Sequence, residues 1–264
     1  MRLIVLGSGS SGNAVYIEAG GSAVLVDAGL SGKETARRMT EAGLDPAKLN
    51  AILLTHEHED HSKGAQVLSK TVGARLYTSR ATRTECKFQR GGEGIFWGET
   101  VSSGEPFNVG SLEFQPFSIP HDGIDTFAIT VRANGVKAGV VTDLGYITQL
   151  VAEKLRGSDL IVIESNYDRE MLRVGPYPWS VKQRIASRLG HLSNDETARW
   201  LKEGFDGSAR WIVLAHLSRH CNHPELARLN ALQALESHGP SFYPDAERSV
   251  RVAPHDRPSE WFEL

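Results

Sequence analysis

Three histidines and one aspartate lie within six consecutive residues of this chain, and their side chains are those of a metal site. Residues 55–61 read THEHEDH, which places His56, His58, Asp60 and His61 in the pattern H-x-H-x-D-H. Neutral imidazoles and carboxylates are the ligands that a borderline divalent cation such as Zn²⁺ selects. This density of ligating side chains predicts a metal site rather than a polar, solvated loop.

The flanking sequence predicts that these residues lie on a loop between a strand and a helix. Residues 50–55 form a short apolar run, and a helix-like pattern follows the last histidine. His56 and His58 are two residues apart on extended backbone, so their side chains point the same way. Asp60 and His61 lie where the helix begins, so their side chains diverge. This geometry suits two neighbouring metals, one for each pair.

The run is similar to the signature of the metallo-β-lactamase fold superfamily, in which the remaining ligands follow strands further along the chain. The resemblance implies that His121, at the end of an apolar stretch, completes the first metal's ligands with His56 and His58. It also implies that the second metal is bound by Asp60, His61 and His216. Asp143 is then shared by both metals. Five histidines and two aspartates suit either Zn²⁺ or Mn²⁺.

The composition is that of an ordinary globular protein. The chain has 264 residues, of which 40% are hydrophobic and 23% charged, and its formal net charge is −3. This length is enough for one large core, and we expect a single hydrolase domain over residues 1–264. No overall positive field indicates a nucleic-acid-binding protein, so any basic binding surface must be local.

The cysteine content and the first residues predict a cytoplasmic protein. Cys86 and Cys221 are the only two cysteines, so neither a disulfide framework nor a disulfide-linked partner is expected. Residues 1–6 contain one basic residue and an apolar run too short for a signal peptide. No stretch approaches the ~18 apolar residues that a membrane span requires.

The elements that must position the ligands are both strands and helices, which alternate only in part. This pattern alone indicates a mixed α and β chain. Ser193 and Glu196 form a capping box that predicts the start of a helix. The resemblance adds the architecture, a four-layer αββα sandwich in which two sheets pack face to face, helices lie outside, and the ligands converge at one edge.

A glycine-rich segment near the start resembles a nucleotide-binding motif. Residues 7–12 read GSGSSG and follow a strand. A dinucleotide site needs a helix whose N-terminus binds the pyrophosphate, but residues 14–18 are β-rich and end in a Gly-Gly turn. We therefore expect a tight hairpin beside the metal site and no NAD.

Further motifs closely resemble the YycJ/WalJ group of this superfamily, which is associated with 5′→3′ DNA exonuclease activity. The similar segments are GSGSSGN at 7–13, LVDAGLSG at 25–32, ESNYD at 164–168, YPWSVKQRI at 177–185, GHLSN at 190–194 and HLS at 216–218. The resemblance extends from residue 1 to about residue 230. The chain departs from the group at Tyr167, where histidine is common, and at residues 219–223, where Asn222 persists within an altered run.

Together the ligands and the resemblance imply a metal-dependent phosphodiesterase, with a 5′→3′ DNA exonuclease as the first hypothesis. Two cations can share a hydroxide and lower the pKa of their water towards neutrality. Asp60 would bind one cation and orient the hydroxide. His191 is a candidate for binding a phosphate oxygen or protonating the leaving group, although it could instead be a packing or capping histidine. Asn222 is a candidate substrate contact.

A row of basic residues offers a local surface for DNA. Arg80, Arg83, Lys87 and Arg90 recur at spacings of three, four and three. On one helix they would form a stripe able to follow a phosphate backbone. A solvated helix face explains the same pattern equally well.

Other activities of the same fold remain alternatives, because a fold does not determine a substrate. A thioester or lactone hydrolase similar to glyoxalase II would use the same metals, as would a cyclic-nucleotide or RNA phosphodiesterase. Antibiotic hydrolysis is disfavoured because the lactamases lack a bridging carboxylate such as Asp143. A flavodiiron redox role is disfavoured because His58 stands where those proteins have an acidic ligand. The complete ligand set argues against a non-catalytic metal-binding module.

Overall fold

The computed structural model of the protein describes residues 1–239 and 241–264, without the side chains of residues 89 and 90. Within these described residues, the strands form two sheets of seven strands each. The first sheet contains β1 (Arg2–Gly7), β2 (Ala14–Ala19), β3 (Ser22–Val26), β4 (Ala51–Leu53), β5 (Arg75–Thr78), β6 (Trp97–Thr100) and β14 (Phe262–Glu263), in the spatial order 14-1-2-3-4-5-6. The second contains β7 (Phe107–Val109), β8 (Leu112–Ser118), β9 (Phe127–Ala133), β10 (Val136–Val141), β11 (Leu160–Glu164), β12 (Trp211–Ala215) and β13 (Val250–Val252), in the order 13-12-11-10-9-8-7.

Helices cover the outer faces of both sheets and connect their strands. They are α1 (Gly32–Glu41), α2 (Glu59–Ser62), α3 (Ala65–Val72), α4 (Arg80–Glu85), α5 (Gln149–Leu155), α6 (Arg169–Val174), α7 (Trp179–Ile185), α8 (Asn194–Glu203), α9 (Pro224–Glu236) and α10 (Ala246–Ser249). Short 3₁₀ turns occur at Pro46–Lys48 and Gln89–Gly92. The capping-box prediction is confirmed at the start of α8, where the Ser193 side chain accepts a hydrogen bond from the backbone N–H of Glu196.

The alternation of side chains along each strand builds the layers. Leu3 and Val5 of β1 belong to the core between the two sheets, whereas Ile4 and Leu6 pack towards the helices on the outer face. The second sheet is divided in the same way, with Val162 of β11 between the sheets. Each fully buried Leu, Ile or Val contributes about 1.5–3 kcal/mol to stability. Three apolar layers therefore separate four layers of elements, and the predicted αββα sandwich is confirmed.

Parallel strands bring the site together at one edge of the sandwich. Strands β3, β4 and β5 are parallel in the first sheet, and β10, β11 and β12 are parallel in the second. The carboxyl ends of parallel strands meet at the same sheet edge, where ligands bind. Asp27 follows β3, residues 55–61 follow β4, Asp143 follows β10, Glu164 ends β11 and His216 follows β12.

The glycine-rich segment forms the predicted hairpin. Strands β1 and β2 pair antiparallel on either side of it, so no helix N-terminus follows the glycines. The backbone N–H of Asn13 donates to the carbonyl oxygen of Asp60 at 2.7 Å, and Gly29 donates to the carbonyl oxygen of Asn13 at 2.9 Å. The hairpin therefore supports the loop that carries the H-x-H-x-D-H residues.

The prediction that one helix carries four basic side chains is wrong. Helix α4 ends at Glu85, and the chain turns into an extended conformation at the buried residue Cys86. Lys87 lies beyond this turn, and the side chain of Arg90 lies outside the described residues. Only Arg80 and Arg83 are on the helix.

Both cysteines, Cys86 and Cys221, are buried and free. Within residues 1–239 and 241–264, no helix has both the length and the apolar character that crossing a membrane would require.

The close approach of Gly29 to the ligand loop gives a first prediction. A β carbon at Gly29 would lie 1.6 Å from the carbonyl oxygen of Asp60, so the loop must move to admit one. We expect Gly29→Ala to lower the free energy of unfolding by about 3 kcal/mol and to reduce the metal content, as measured by urea denaturation and elemental analysis.

The matched control is Gly73→Ala. A β carbon there meets no heavy atom within 4 Å, and only its φ of 75° opposes the change, at about 1 kcal/mol. Equal urea midpoints and equal metal contents for the two variants would contradict the importance of the Gly29 contact.

Candidate metal centre

Three imidazole nitrogens converge at one end of the site. His58 Nδ1 lies 3.1 Å from His56 Nε2 and 3.3 Å from His121 Nε2. Zn–N bonds of 2.0–2.1 Å in tetrahedral geometry place neighbouring ligand atoms about 3.4 Å apart, so this spacing fits a cation. Burial lowers the pKa of His56 well below its usual value, so its imidazole is neutral and able to bind a metal.

A second group of ligand atoms lies beside the first. Atoms of Asp60, His61, Asp143 and His216 all lie within 4.8 Å of one another. The distance from His216 Nε2 to Asp60 Oδ2 is 3.4 Å, and that from His61 Nε2 to Asp143 Oδ2 is 3.1 Å. The structure thus brings together all seven residues that the sequence predicted as ligands, in two adjacent clusters.

The carboxylate of Asp143 lies beside ligand residues of both clusters, and its Oδ1 is 3.4 Å from His216 Nδ1 of the second cluster. Its Oδ1 lies 3.9 Å from His121 Nε2, and its Oδ2 lies 3.1 Å from His61 Nε2. Burial alone would raise the pKa of this carboxyl, but the imidazoles of His216 and His61 outweigh it and hold the pKa well below its usual value. The ionised carboxylate is placed to contact cations on both sides.

A buried carboxylate, Asp27, orients His61. Its Oδ2 lies 2.8 Å from His61 Nδ1, and the Thr55 hydroxyl donates to the same carboxylate at 3.0 Å. When the neutral imidazole donates Nδ1–H to Asp27, its Nε2 lone pair faces the Asp143 carboxylate. A cation between these two electron-rich atoms would satisfy both, so the donor set fits a metal. Sequence analysis did not assign Asp27 a role at the metal site, although it lies in the LVDAGLSG segment.

A second buried carboxylate, Glu164, orients two histidines. Its Oε1 lies 2.6 Å from His216 Nδ1 and 2.9 Å from His191 Nδ1, and its Oε2 accepts from the backbone N–H groups of Leu144 and Leu192. Burial favours the protonated form, but these imidazoles outweigh it and lower the pKa of Glu164 to about 2. Sequence analysis did not assign Glu164 a role, although it begins the ESNYD segment.

Three residues of the site have left-handed backbone conformations that orient their side chains. The φ angles are 61° at Asp27, 61° at Asp143 and 56° at His216, each within two residues of a strand end. This conformation costs a residue other than glycine about 1–3 kcal/mol and persists where the surrounding structure imposes it. The sharp turn lets each chain leave its sheet while the side chain points into the site.

His191 lies at the open side of the centre. It lines a cleft of about 330 Å³ together with Asp60, Asp143 and His216. Its Nδ1 is bound to Glu164, which leaves Nε2 as the atom able to contact a substrate. Its ring centroid is 5.4 Å from that of His121, so the group lies beside both clusters.

Asn222 is buried within the protein rather than in the cleft. Its amide donates to the carbonyl oxygens of Ser165 at 2.8 Å and Asn166 at 3.0 Å, and its Oδ1 accepts from Asn194 at 2.9 Å. We therefore expect Asn222 to connect the loops behind the site. Nearby, the ring of His223 accepts a hydrogen bond from Glu225 N–H at the start of α9.

Three of the four basic residues around α4 are described with their side chains, and all three are exposed. The Arg83 guanidinium lies 3.8 Å from the centroid of the Trp97 ring. Lys87 Nζ approaches Glu59 Oε1 at 4.0 Å, next to the ligand loop. Arg80 is exposed at the beginning of the helix.

Comparison with known proteins identifies the family. Residues 22–217 match the family described as the Beta-lactamase superfamily domain. The chain belongs to the β-lactamase superfamily. It is 37% identical over 239 residues to the exodeoxyribonuclease YycJ of Bacillus anthracis, with 90% of each chain covered. It is 35% identical over 238 residues to the exodeoxyribonuclease WalJ of Streptococcus pneumoniae, covering 88% of this chain and 87% of the relative.

A solved structure shows the same superfamily fold. The metallo-β-lactamase fold protein YhfI from Bacillus subtilis superposes with a TM-score of 0.71 at 20% identity, covering 98% of each chain. The predicted family and its YycJ/WalJ-like group are confirmed by these comparisons. The protein is a metallohydrolase of this fold, and its clustered histidines and aspartates are suited to divalent metal ions.

The shared hydrogen bonds of Glu164 give a second prediction. In Glu164→Gln the amide NH₂ must face either the imidazole N–H groups or the backbone N–H groups, whichever way the side chain turns. A donor then faces donors, and those hydrogen bonds are lost. We expect metal affinity to fall 10–100-fold while the fold is retained, measured by titration against a competing chelator and by circular dichroism. Glu203→Gln, at an exposed position at the end of α8, is the control. Unchanged affinity in Glu164→Gln would show that the carboxylate does not support the ligands.

Proposed function

We propose that the protein is a dinuclear-metal-dependent phosphodiesterase and that it degrades DNA as a 5′→3′ exonuclease. The observation that carries the proposal is the position of Asp143, whose carboxylate lies 3.9 Å from His121 Nε2 of the first cluster and 3.1 Å from His61 Nε2 of the second. The likeness to exodeoxyribonucleases over about nine tenths of the chain supports DNA as the substrate. The two free, buried cysteines fit a reducing compartment, and we infer a cytoplasmic enzyme.

The residues divide into two binding groups. One cation would be bound by His56, His58 and His121. The other would be bound by Asp60, His61 and His216, and Asp143 would contact both. Zn²⁺ or Mn²⁺ bound there would lower the pKa of water and polarise a phosphoryl oxygen. Both cations suit this ligand set.

The remaining chemistry falls to Asp60 and His191. The Asp60 carboxylate lies in the cleft beside His216 and His61, where it can accept a hydrogen bond from the attacking water and fix its direction. His191 presents Nε2 to the same cleft, where it can donate to a phosphate oxygen or protonate the leaving oxygen. Glu164 fixes the ring orientation for this contact.

The metal stoichiometry gives a third prediction. We expect metal-replete protein to contain two divalent ions per chain by elemental analysis. His58→Ala should remove the first ion, because it deletes one of three converging nitrogens, and Asp143→Ala should weaken both. His238→Ala, which changes an exposed histidine remote from the site, should retain two ions. One ion or none in the parent protein would contradict the dinuclear proposal.

The substrate is tested by comparing hydrolysis of end-labelled single- and double-stranded DNA, RNA, a cyclic nucleotide and a thioester, each with Zn²⁺ or Mn²⁺. We expect turnover of DNA from the 5′ end, and we expect Asp60→Asn to lose about 10²-fold or more of it with the fold intact. Asp45→Asn, at an exposed helix cap, should keep full activity.

Each alternative activity gives a different result. A preference for the thioester would indicate a glyoxalase-II-like hydrolase, and a preference for RNA or the cyclic nucleotide would indicate a different phosphodiesterase. Turnover of Asp60→Asn within a few-fold of the parent would contradict the role of Asp60.

A further inference from the structure

Helix α7 separates the metal cleft from a second groove. Arg184 and Ile185 line the cleft that contains the ligands. Trp179, Lys182 and Gln183 line a groove of about 540 Å³. Spacings of three and four residues place the groove residues on one face of the helix, so the two faces of α7 serve two neighbouring spaces.

The segment around α7 is locally basic in an acidic protein. Residues 171–190 contain four basic residues and neither aspartate nor glutamate, whereas the whole chain has a formal net charge of −3. Among the residues that the structure describes, neither Lys182 nor Arg188 forms an ion pair with a carboxylate. Lys182 Nζ donates to the carbonyl oxygen of Arg173 at 2.8 Å, and the Arg188 guanidinium lies 4.3 Å from the centroid of the Tyr146 ring. Their charges are available to an anionic ligand.

The acidic residue that lines this groove is already neutralised. Glu196 pairs with Arg169 at 2.9 Å and with Arg199 at 2.9 Å. An anion in the groove therefore meets little carboxylate repulsion.

An aromatic platform lies next to these charges. The side chain of Trp179 is 70% exposed, which is unusual for the largest apolar side chain. Exposed aromatic rings beside basic groups are what single-stranded nucleic acid binds, because bases stack on the rings while cations contact the phosphates. Tyr146, whose ring lies beside the Arg188 guanidinium, is a second aromatic residue that lines the groove.

The groove and the metal centre share one wall. Gly145, two residues after Asp143, packs closely against the backbone of Arg188, since a β carbon there would lie 2.2 Å from its carbonyl oxygen. Two residues after Arg188, the carbonyl oxygen of Gly190 lies 3.2 Å from His121 Nδ1. On the cleft face of α7, Arg184 forms an ion pair with Asp122. A strand that crosses α7 thus passes from the basic groove directly to the metal ligands.

The opposite side of the centre is less suited to DNA. The cavity that Lys87 and Lys63 line also contains three carboxylates, those of Glu57, Glu59 and Glu85. Carboxylates there would repel a phosphate backbone, so the α7 side is the more favourable path.

We propose that the segment of residues 171–190, termed the α7 surface, binds single-stranded nucleic acid and leads it to the metal cleft. A base stacks on Trp179, and backbone phosphates contact Lys182 and Arg188. The proposal rests on the proposed nuclease function and adds the surface that selects a strand.

The charges are tested with Lys182→Gln/Arg188→Gln and the control Lys48→Gln/Lys202→Gln, which removes two exposed cations elsewhere. Binding of labelled oligothymidylate is measured against salt in an Asp60→Asn background, so that the strand is not consumed. We expect the α7-surface variant to bind more weakly and its log–log salt slope to flatten by roughly 0.7 per lost phosphate contact, about 1.4 in total. The control should keep the parent slope.

Hydrolysis of bis(p-nitrophenyl) phosphate, measured with Asp60 intact, should be equal in all of these proteins because Lys182 and Arg188 line the neighbouring groove and not the cleft in which this small substrate binds. A salt slope of Lys182→Gln/Arg188→Gln equal to that of the control would overturn the proposal.

Stacking is tested separately with Trp179→Ala and Trp179→Phe. We expect roughly tenfold weaker oligothymidylate binding in Trp179→Ala and near-parent binding in Trp179→Phe, which keeps a ring. Equal binding by parent and Trp179→Ala would overturn the stacking contact.

The proposed function can fail independently of the α7 surface. A parent protein that binds oligothymidylate through this surface but cleaves neither DNA nor RNA would contradict the nuclease and support the surface. A parent protein that cleaves DNA, with α7-surface variants equal to the control, would support the nuclease and contradict the surface.

Discussion

Hydrogen bonds from imidazole Nδ1–H groups to buried carboxylates are the constraint on which the metal centre depends. Asp27 fixes His61, and Glu164 fixes both His191 and His216. Each bond leaves Nε2 as the ring atom able to bind a metal or contact a substrate. The arrangement concentrates several negative charges in a buried space, and it is favourable only when cations or protons balance them.

Protons and metals therefore compete for the same atoms. Burial favours neutral His216, but Asp143, Asp60 and Glu164 outweigh it and raise its pKa to about 10 when no metal is bound. A metal must displace that proton, so metal affinity decreases as the pH falls.

The fold provides this network through strand ends and close backbone contacts. The ligands of the two clusters come from both sheets and meet because parallel strands end at one edge. The left-handed turns at Asp27, Asp143 and His216 are conformationally unfavourable, and the packing of the sheets offsets this cost. The contact of Gly29 with the ligand loop ties the first hairpin to the same edge.

The sequence predicts the metal ligands better than it predicts the residues that orient them. Four ligands are recognisable because they lie within six residues, and the hairpin is recognisable because β-rich residues follow the glycines. Asp27 and Glu164 are single carboxylates at strand ends, and their contacts with His61 and His216 exist only once distant strands are paired. The end of α4 was not predictable because burial of Cys86, rather than a glycine or a proline, turns the chain there.

Anomalous diffraction from crystals grown with Zn²⁺ or Mn²⁺ tests the carboxylate-oriented dinuclear centre most directly. The account predicts two anomalous peaks ~3.5–4 Å apart, with Asp143 contacting both. The first peak should be contacted by His58 Nδ1, His56 Nε2 and His121 Nε2. A single peak, or two peaks with Asp143 bound to neither, would contradict it.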